Sequence, residues 1–130
     1  MNKKPIIIVA GEPYSTFLEI FFKIKKKHIF KKPIILIVSE TLLYKQMKKL
    51  GFKYNINKLD KDINDIQKID NKDINIINID LKLSAAFSTI SNKSNLYIES
   101  CFDVALKLIK EKKCAGLING AVSKKHFLKN

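Results

Sequence analysis

The feature that most limits what this chain can become is a set of short, unbroken apolar runs, each closed by a turn. The first is Pro5-Ile6-Ile7-Ile8-Val9-Ala10, stopped by Gly11-Glu12-Pro13, and the second is Pro33-Ile34-Ile35-Leu36-Ile37-Val38. Runs of about four to eight β-branched and apolar residues between turn formers fit strands covered on both faces, as in parallel sheets flanked by helices. Residues just past the carboxyl end of such a strand face the crevice where α/β proteins usually bind ligands. Glu12 is therefore a candidate polar contact, with a plain turn or cap role as the competing reading.

The intervening segments supply the helical cover. After Pro13, a hydroxyl of Tyr14-Ser15-Thr16 can cap a helix whose apolar Phe17, Ile20 or Phe21, and Ile24 recur at helical spacing, opposite Lys23, Lys25, Lys26 and Lys27. Amide groups at a helix start attract anions, so this loop can cradle a phosphate or carboxylate. His28 is expected as a surface cap at the helix end. Ser39 opens a second helix with Leu43, Met47 and Leu50 on one stripe, and Gly51 ends it as a left-handed cap.

Phe52 to Asn57 reads as a short edge strand, and Lys58 to Lys72 as a solvated connection whose carboxylates and lysines face water. Ile74 to Ile79 has strand character, and Leu81 to Lys93 is an irregular segment suited to covering a cleft. A long helix runs from Ser94 or Asn95 to Lys112. Cys114 to Asn119 is a last strand, and Gly120 to His126 a second strand-to-helix loop. The expected fold class is α/β, layered α-β-α with a mostly parallel sheet. It spans 1–130, either as a single α/β domain or as the amino-terminal portion of a larger two-domain enzyme. A helix barely begun after a core strand leads us to expect an incomplete protein.

Charge bears on partners. The formal net charge is +13 with a pI near 9.7, which ordinarily points to nucleic acid or an anionic membrane. All 25 basic residues, however, are Lys. Bidentate recognition of guanine or phosphate favours the guanidinium fork, so nucleic acid is disfavoured and a solvated basic surface expected. Cys101 and Cys114 have no metal or redox spacing and are expected as buried apolar residues in a reducing compartment. The apolar run after the first lysines is too short for a secretory signal, and no run suits a membrane span, so a cytoplasmic protein is expected. No glycine-rich dinucleotide fingerprint or phosphate loop occurs.

Three stretches, in order, resemble the amino-terminal part of the 4-hydroxythreonine-4-phosphate dehydrogenase family of pyridoxal phosphate (vitamin B6) biosynthesis. Pro5 to Pro13 resembles that family's opening strand and Gly-Asp/Glu-Pro turn, with Glu19 where the family also carries an acid. Pro33 to Gly51 is similar to its second strand and the helix ending in Leu-Gly. Ile98 to Lys124 is similar to its long helix, next strand and a loop closing on Ser123-Lys124. The sequence departs from the family where Tyr14-Ser15-Thr16-Phe17 replaces Ala-Gly-Ile-Gly, where Ala121 replaces a proline, and where Asn95 replaces a glycine.

The resemblance implies a fold of the isocitrate and isopropylmalate dehydrogenase type and a homodimer when full-length. It implies NAD-dependent oxidation of 4-phosphohydroxy-L-threonine with a divalent metal (Zn, Mg or Co). In that chemistry the metal polarises the substrate hydroxyl, hydride passes to the nicotinamide, and the keto acid decarboxylates. The family's metal-binding histidines and its His-Thr substrate pair have no counterparts here, since neither His28 nor His126 aligns with them. No catalytic or metal residue is therefore assigned. The substrate- or cofactor-binding candidates are Glu12 as a polar contact, Lys124 for charge complementarity to a phosphate and Ser123 as its hydrogen-bonding neighbour. For Lys124 a solvated lysine at a helix start is the competing reading. Two other functions fit the residues: a non-catalytic α/β module holding a phosphorylated small molecule, and, less favoured, a basic nucleic-acid-binding protein.

Overall fold

The computed structural model describes residues 4–82 and 85–122. Five strands form one sheet in the order β3-β4-β2-β1-β5, and every neighbouring pair is parallel. The strands are β1 (Ile6–Val9), β2 (Ile34–Val38), β3 (Ile56–Lys58), β4 (Ile74–Asn78) and β5 (Gly116–Asn119). The helices are α1 (Phe17–Lys27), α2 (Glu40–Leu50) and α3 (Asn95–Lys110), with short 3-10 turns at Ile66–Lys68 and Asn92–Ser94. The expected α/β layering is what forms, and β3 is an edge strand as expected, though it starts at Ile56 rather than Phe52.

Successive strand residues point to opposite faces, so each apolar run feeds two cores. Ile7, Val9, Ile35, Ile37 and Ile77 pack under Tyr97, Ile98, Cys101, Ala105 and Leu108 of α3. Ile8, Leu36, Val38 and Ile76 pack under Leu18, Phe21 and Phe22 of α1 and Leu42, Leu43 and Met47 of α2. Continuous apolar runs are thus required because both faces are covered. Cys101 is fully buried, and burial pushes its thiol up to about 12, which makes it an inert core residue; Cys114 is only half-buried.

Two expectations need correction. On α1 the buried face is Leu18, Phe21 and Phe22, while Ile20 and Ile24 are exposed. Of the expected alternatives Ile20 and Phe21 it is Phe21 that meets the core, while Ile24 faces out. In the connection 58–72, read as solvated, Leu59 and Ile63 are buried under α3, Ile66 and Ile69 pack against them, and Asp65 buries one carboxylate oxygen. Apolar residues too irregularly spaced to mark a helix can still plug a core from a loop. His28 caps α1 as expected, donating its N–H to Ile24 O at 2.9 Å. No helix among the described residues is long and apolar enough to cross a membrane.

Candidate functional site at the carboxyl edge of the sheet

β1 leaves the sheet through Gly11, whose φ of +78° is left-handed. A Cβ there would stand 2.6 Å from Ala121 O and 2.9 Å from Gly120 O, while one on Gly120 would strike the carbonyl of Ala10. Glycine at both positions lets the loops after β1 and β5 meet backbone to backbone. Gly120 N–H donates to Val9 O at 2.7 Å and Glu12 N–H to Ala121 O at 2.8 Å. The two loops form a closed clasp.

The start of α1 follows from this. Thr16 is its cap residue but makes no side-chain cap bond; instead Ser15 Oγ accepts from Phe17 N at 3.3 Å. Tyr14 and Phe17, the latter at one of the positions where the resembled family has glycine, pack against the α1–α2 core, and Phe17 Cγ reaches to 2.9 Å from the position of a Cβ on Gly120. The side chain of Glu12 turns inward and is 3% exposed. Among the described residues neither of its oxygens has a hydrogen-bond partner, and burial raises its carboxyl above the ordinary value.

β2 and β4 are neighbours whose following helices go to opposite faces, α2 to one and α3 to the other. A crevice opens where such loops diverge. Three amides at the start of α2 are bonded to side chains of the protein. Ser39 N–H donates to Tyr97 Oη at 2.8 Å, Glu40 N–H to Asn78 Oδ1 at 2.8 Å and Leu42 N–H to Ser39 Oγ at 3.2 Å. Most of the donors an anion would use there are thus occupied. Burial also pushes the Tyr97 hydroxyl well up, so it stays protonated.

From α2, fully buried Gln46 donates through Nε2 to Pro13 O at 2.8 Å and to Ala86 O at 2.9 Å. It ties the β1 loop to the segment after β4. That segment walls a cavity of about 340 Å³ lined by Tyr14, Leu81, Lys82, four hydroxyls (Ser88, Thr89, Ser91 and Ser94) and Lys93. Two lysines with several hydroxyls suit a phosphate or carboxylate, since charge-assisted bonds are the stronger kind. The irregular segment expected to cover a cleft therefore lines one.

Of the expected site residues, Glu12 lies in the clasp beside this cavity but not in its wall. Ser123, Lys124 and His126 lie outside the described residues. Gln46, Lys82 and Lys93 were missed. Gln46 had a signal, a polar residue on the otherwise apolar stripe of Leu43, Met47 and Leu50. The lysines had none, in a chain where lysine is everywhere. A metal is not accommodated by the described residues, because no three His, Cys, Asp or Glu side chains among them come together.

Solved structures share the fold. A Salmonella typhimurium protein assigned as a 4-hydroxythreonine-4-phosphate dehydrogenase superposes with a TM-score of 0.80 at 13% identity, over 95% of this chain and 39% of that one. The fold is that of the 4-hydroxythreonine-4-phosphate dehydrogenases. The enzyme from Klebsiella pneumoniae gives 0.79 at 16% identity, over 95% of this chain and 38% of its own. That from Burkholderia phymatum gives 0.74 at 16%, over 98% and 41%. This chain thus spans about two fifths of the dehydrogenase structures it matches. No family model matches the sequence, and no curated protein matches it.

Proposed function

We propose that this chain is the amino-terminal part of an NAD-dependent, divalent-metal-dependent dehydrogenase acting on 4-phosphohydroxy-L-threonine, and that its share of the work is to hold the phosphorylated substrate. The carrying observation is the cavity at the carboxyl edge, where Lys82 and Lys93 stand among hydroxyls beside the loops that resemble the family's. Lys124 adds charge complementarity to the phosphate, with Ser123 as its hydrogen-bonding neighbour and Glu12 as a polar contact from the clasp. NAD and the metal belong to residues beyond those described, in a cytoplasmic homodimer.

Calorimetric titration with O-phospho-L-threonine tests the reading. The ligand should bind, and Lys82→Ala with Lys93→Ala should weaken it by about tenfold while leaving the melting temperature unchanged, as expected for exposed charge-assisted contacts. Equal affinity in the double variant, or no binding by the parent, overturns it.

A further inference from the structure

The opposite edge of the sheet carries a second and larger opening. The carboxyl end of α2, the segment leading into β3 and the turn before β4 enclose about 660 Å³, within the range of small-molecule sites. Tyr44, Met47, Phe52 and Tyr54 supply its apolar surface, and Lys48, Lys53 and Lys72 line it against a single carboxylate, Asp73. Gly51, left-handed at φ +80° with nothing within 4 Å of a Cβ position, turns the chain at its mouth.

Two features give this groove a preference. Phe52 and Tyr54 each have a lysine of α1 on a face: Lys26 Nζ lies 6.0 Å from the Phe52 centroid and Lys25 Nζ 5.2 Å from that of Tyr54. Phe52 also has the ring of Phe22 at 5.3 Å, so it is held against the core, whereas no ring packs on Tyr54 among the described residues and neither lysine lines the groove. A ring polarised by a cation on one face presents an electron-poorer face on the other, which favours stacking by an electron-rich ring. Lys25 is fixed by donating to the carbonyl of Asn71, and burial lowers its pKa. The charge is also unspent. Lys48, Lys53 and Lys72 enter none of the ion pairs among the described residues. The carbonyls of Met47 and Lys48 at the end of α2 are taken by Phe52 N and Gly51 N, so they do not compete for the lysines.

We propose that this groove binds a small planar aromatic molecule carrying an anionic group, the ring stacked on Tyr54 beside Phe52 and the anion met by Lys48, Lys53 and Lys72. It is a second site, on the edge of the sheet away from the phosphate cavity, and does not depend on the dehydrogenase reading.

The test is a titration of the full chain with 1-naphthyl phosphate, followed through backbone amide shifts. Shifts are expected at Gly51, Lys53, Tyr54, Lys72 and Asp73. Inorganic phosphate and 1-naphthalenemethanol should each bind at least about tenfold more weakly, since each offers half the recognition. Lys53→Ala with Lys72→Ala, both exposed in a chain that keeps its core, should lower affinity about threefold to tenfold and flatten its salt dependence. Phosphate alone binding as tightly as the aryl phosphate would reduce the groove to an anion patch and overturn the proposal. So would shifts confined to the carboxyl edge, or stronger binding of single-stranded oligonucleotide at the same amides.

Discussion

The clasp between β1 and β5 and the crevice between β2 and β4 lie side by side on one edge of the sheet, yet are built by different means. The clasp is closed by backbone alone: Gly11 and Gly120 remove the side chains that would hold the loops apart, and amides meet carbonyls across the gap. The crevice is held by side chains, Tyr97, Asn78 and Gln46, which satisfy the loop ends but leave room between them. Close backbone contact leaves no space for a ligand, whereas side-chain struts do. The Gly-Glu-Pro turn, the conspicuous motif of the sequence, thus stands beside the cavity without lining it, and most of the lining comes from the plain residues between Leu81 and Ser94.

The largest effect is expected at the clasp. Gly120→Ala places a Cβ against the backbone of Ala10, and relief requires the loops to part, at a cost of about 3 kcal/mol or more. Gly116→Ala, at the start of the strand that leads to this loop, meets nothing within 4 Å and should change stability by less than about 1 kcal/mol. Urea midpoints of the two variants measure the difference. Equal costs would mean that the loops are not in backbone contact and would erase the contrast with the crevice.

A smaller effect is expected at the crevice. Gln46→Leu keeps the volume on α2 but strips the donors from Pro13 O and Ala86 O, which should cost about 1 to 2 kcal/mol. Because the lost bonds anchor the cavity wall, amide exchange should rise in 85–94 before it rises in β1. Exchange rising uniformly would show that Gln46 stabilises the core generally and does not brace the crevice.

Much of this edge was legible beforehand, for physical reasons that differ by residue. Strands covered on both faces announce themselves as unbroken apolar runs, and Gly51 and Ser39 marked the ends of α2 because caps need particular residue types. The burial of Leu59 and Ile63 was not legible, since a loop residue is buried by tertiary contact and no period records it. Ile20 and Ile24 misled for the complementary reason: helical spacing finds an apolar stripe but not which part of it meets the sheet. Strand order was hidden because parallel strands are joined through helices of similar length whichever neighbour they reach. Lys82 and Lys93 become site residues only through the folding of a segment without pattern.

The most delicate comparison is inside the clasp itself, at Glu12. Its carboxyl is buried, without a partner among the described residues, and raised above its ordinary value of 4.5 by desolvation. A carboxyl whose folded pKa exceeds its unfolded one contributes stability that is complete below the unfolded value and is lost as pH rises through the folded value. At neutral pH the ionised form therefore strains the clasp. Glu12→Gln keeps the shape and cannot ionise, so the variant should melt higher than the parent at pH 7, with the two converging toward pH 4. Melting curves across that interval measure it. A variant less stable than the parent at pH 7 would mean that the carboxylate is used in its charged form, by a cation that glutamine cannot hold. The clasp would then belong to the binding site together with the crevice, and the division of labour between the two regions would fail.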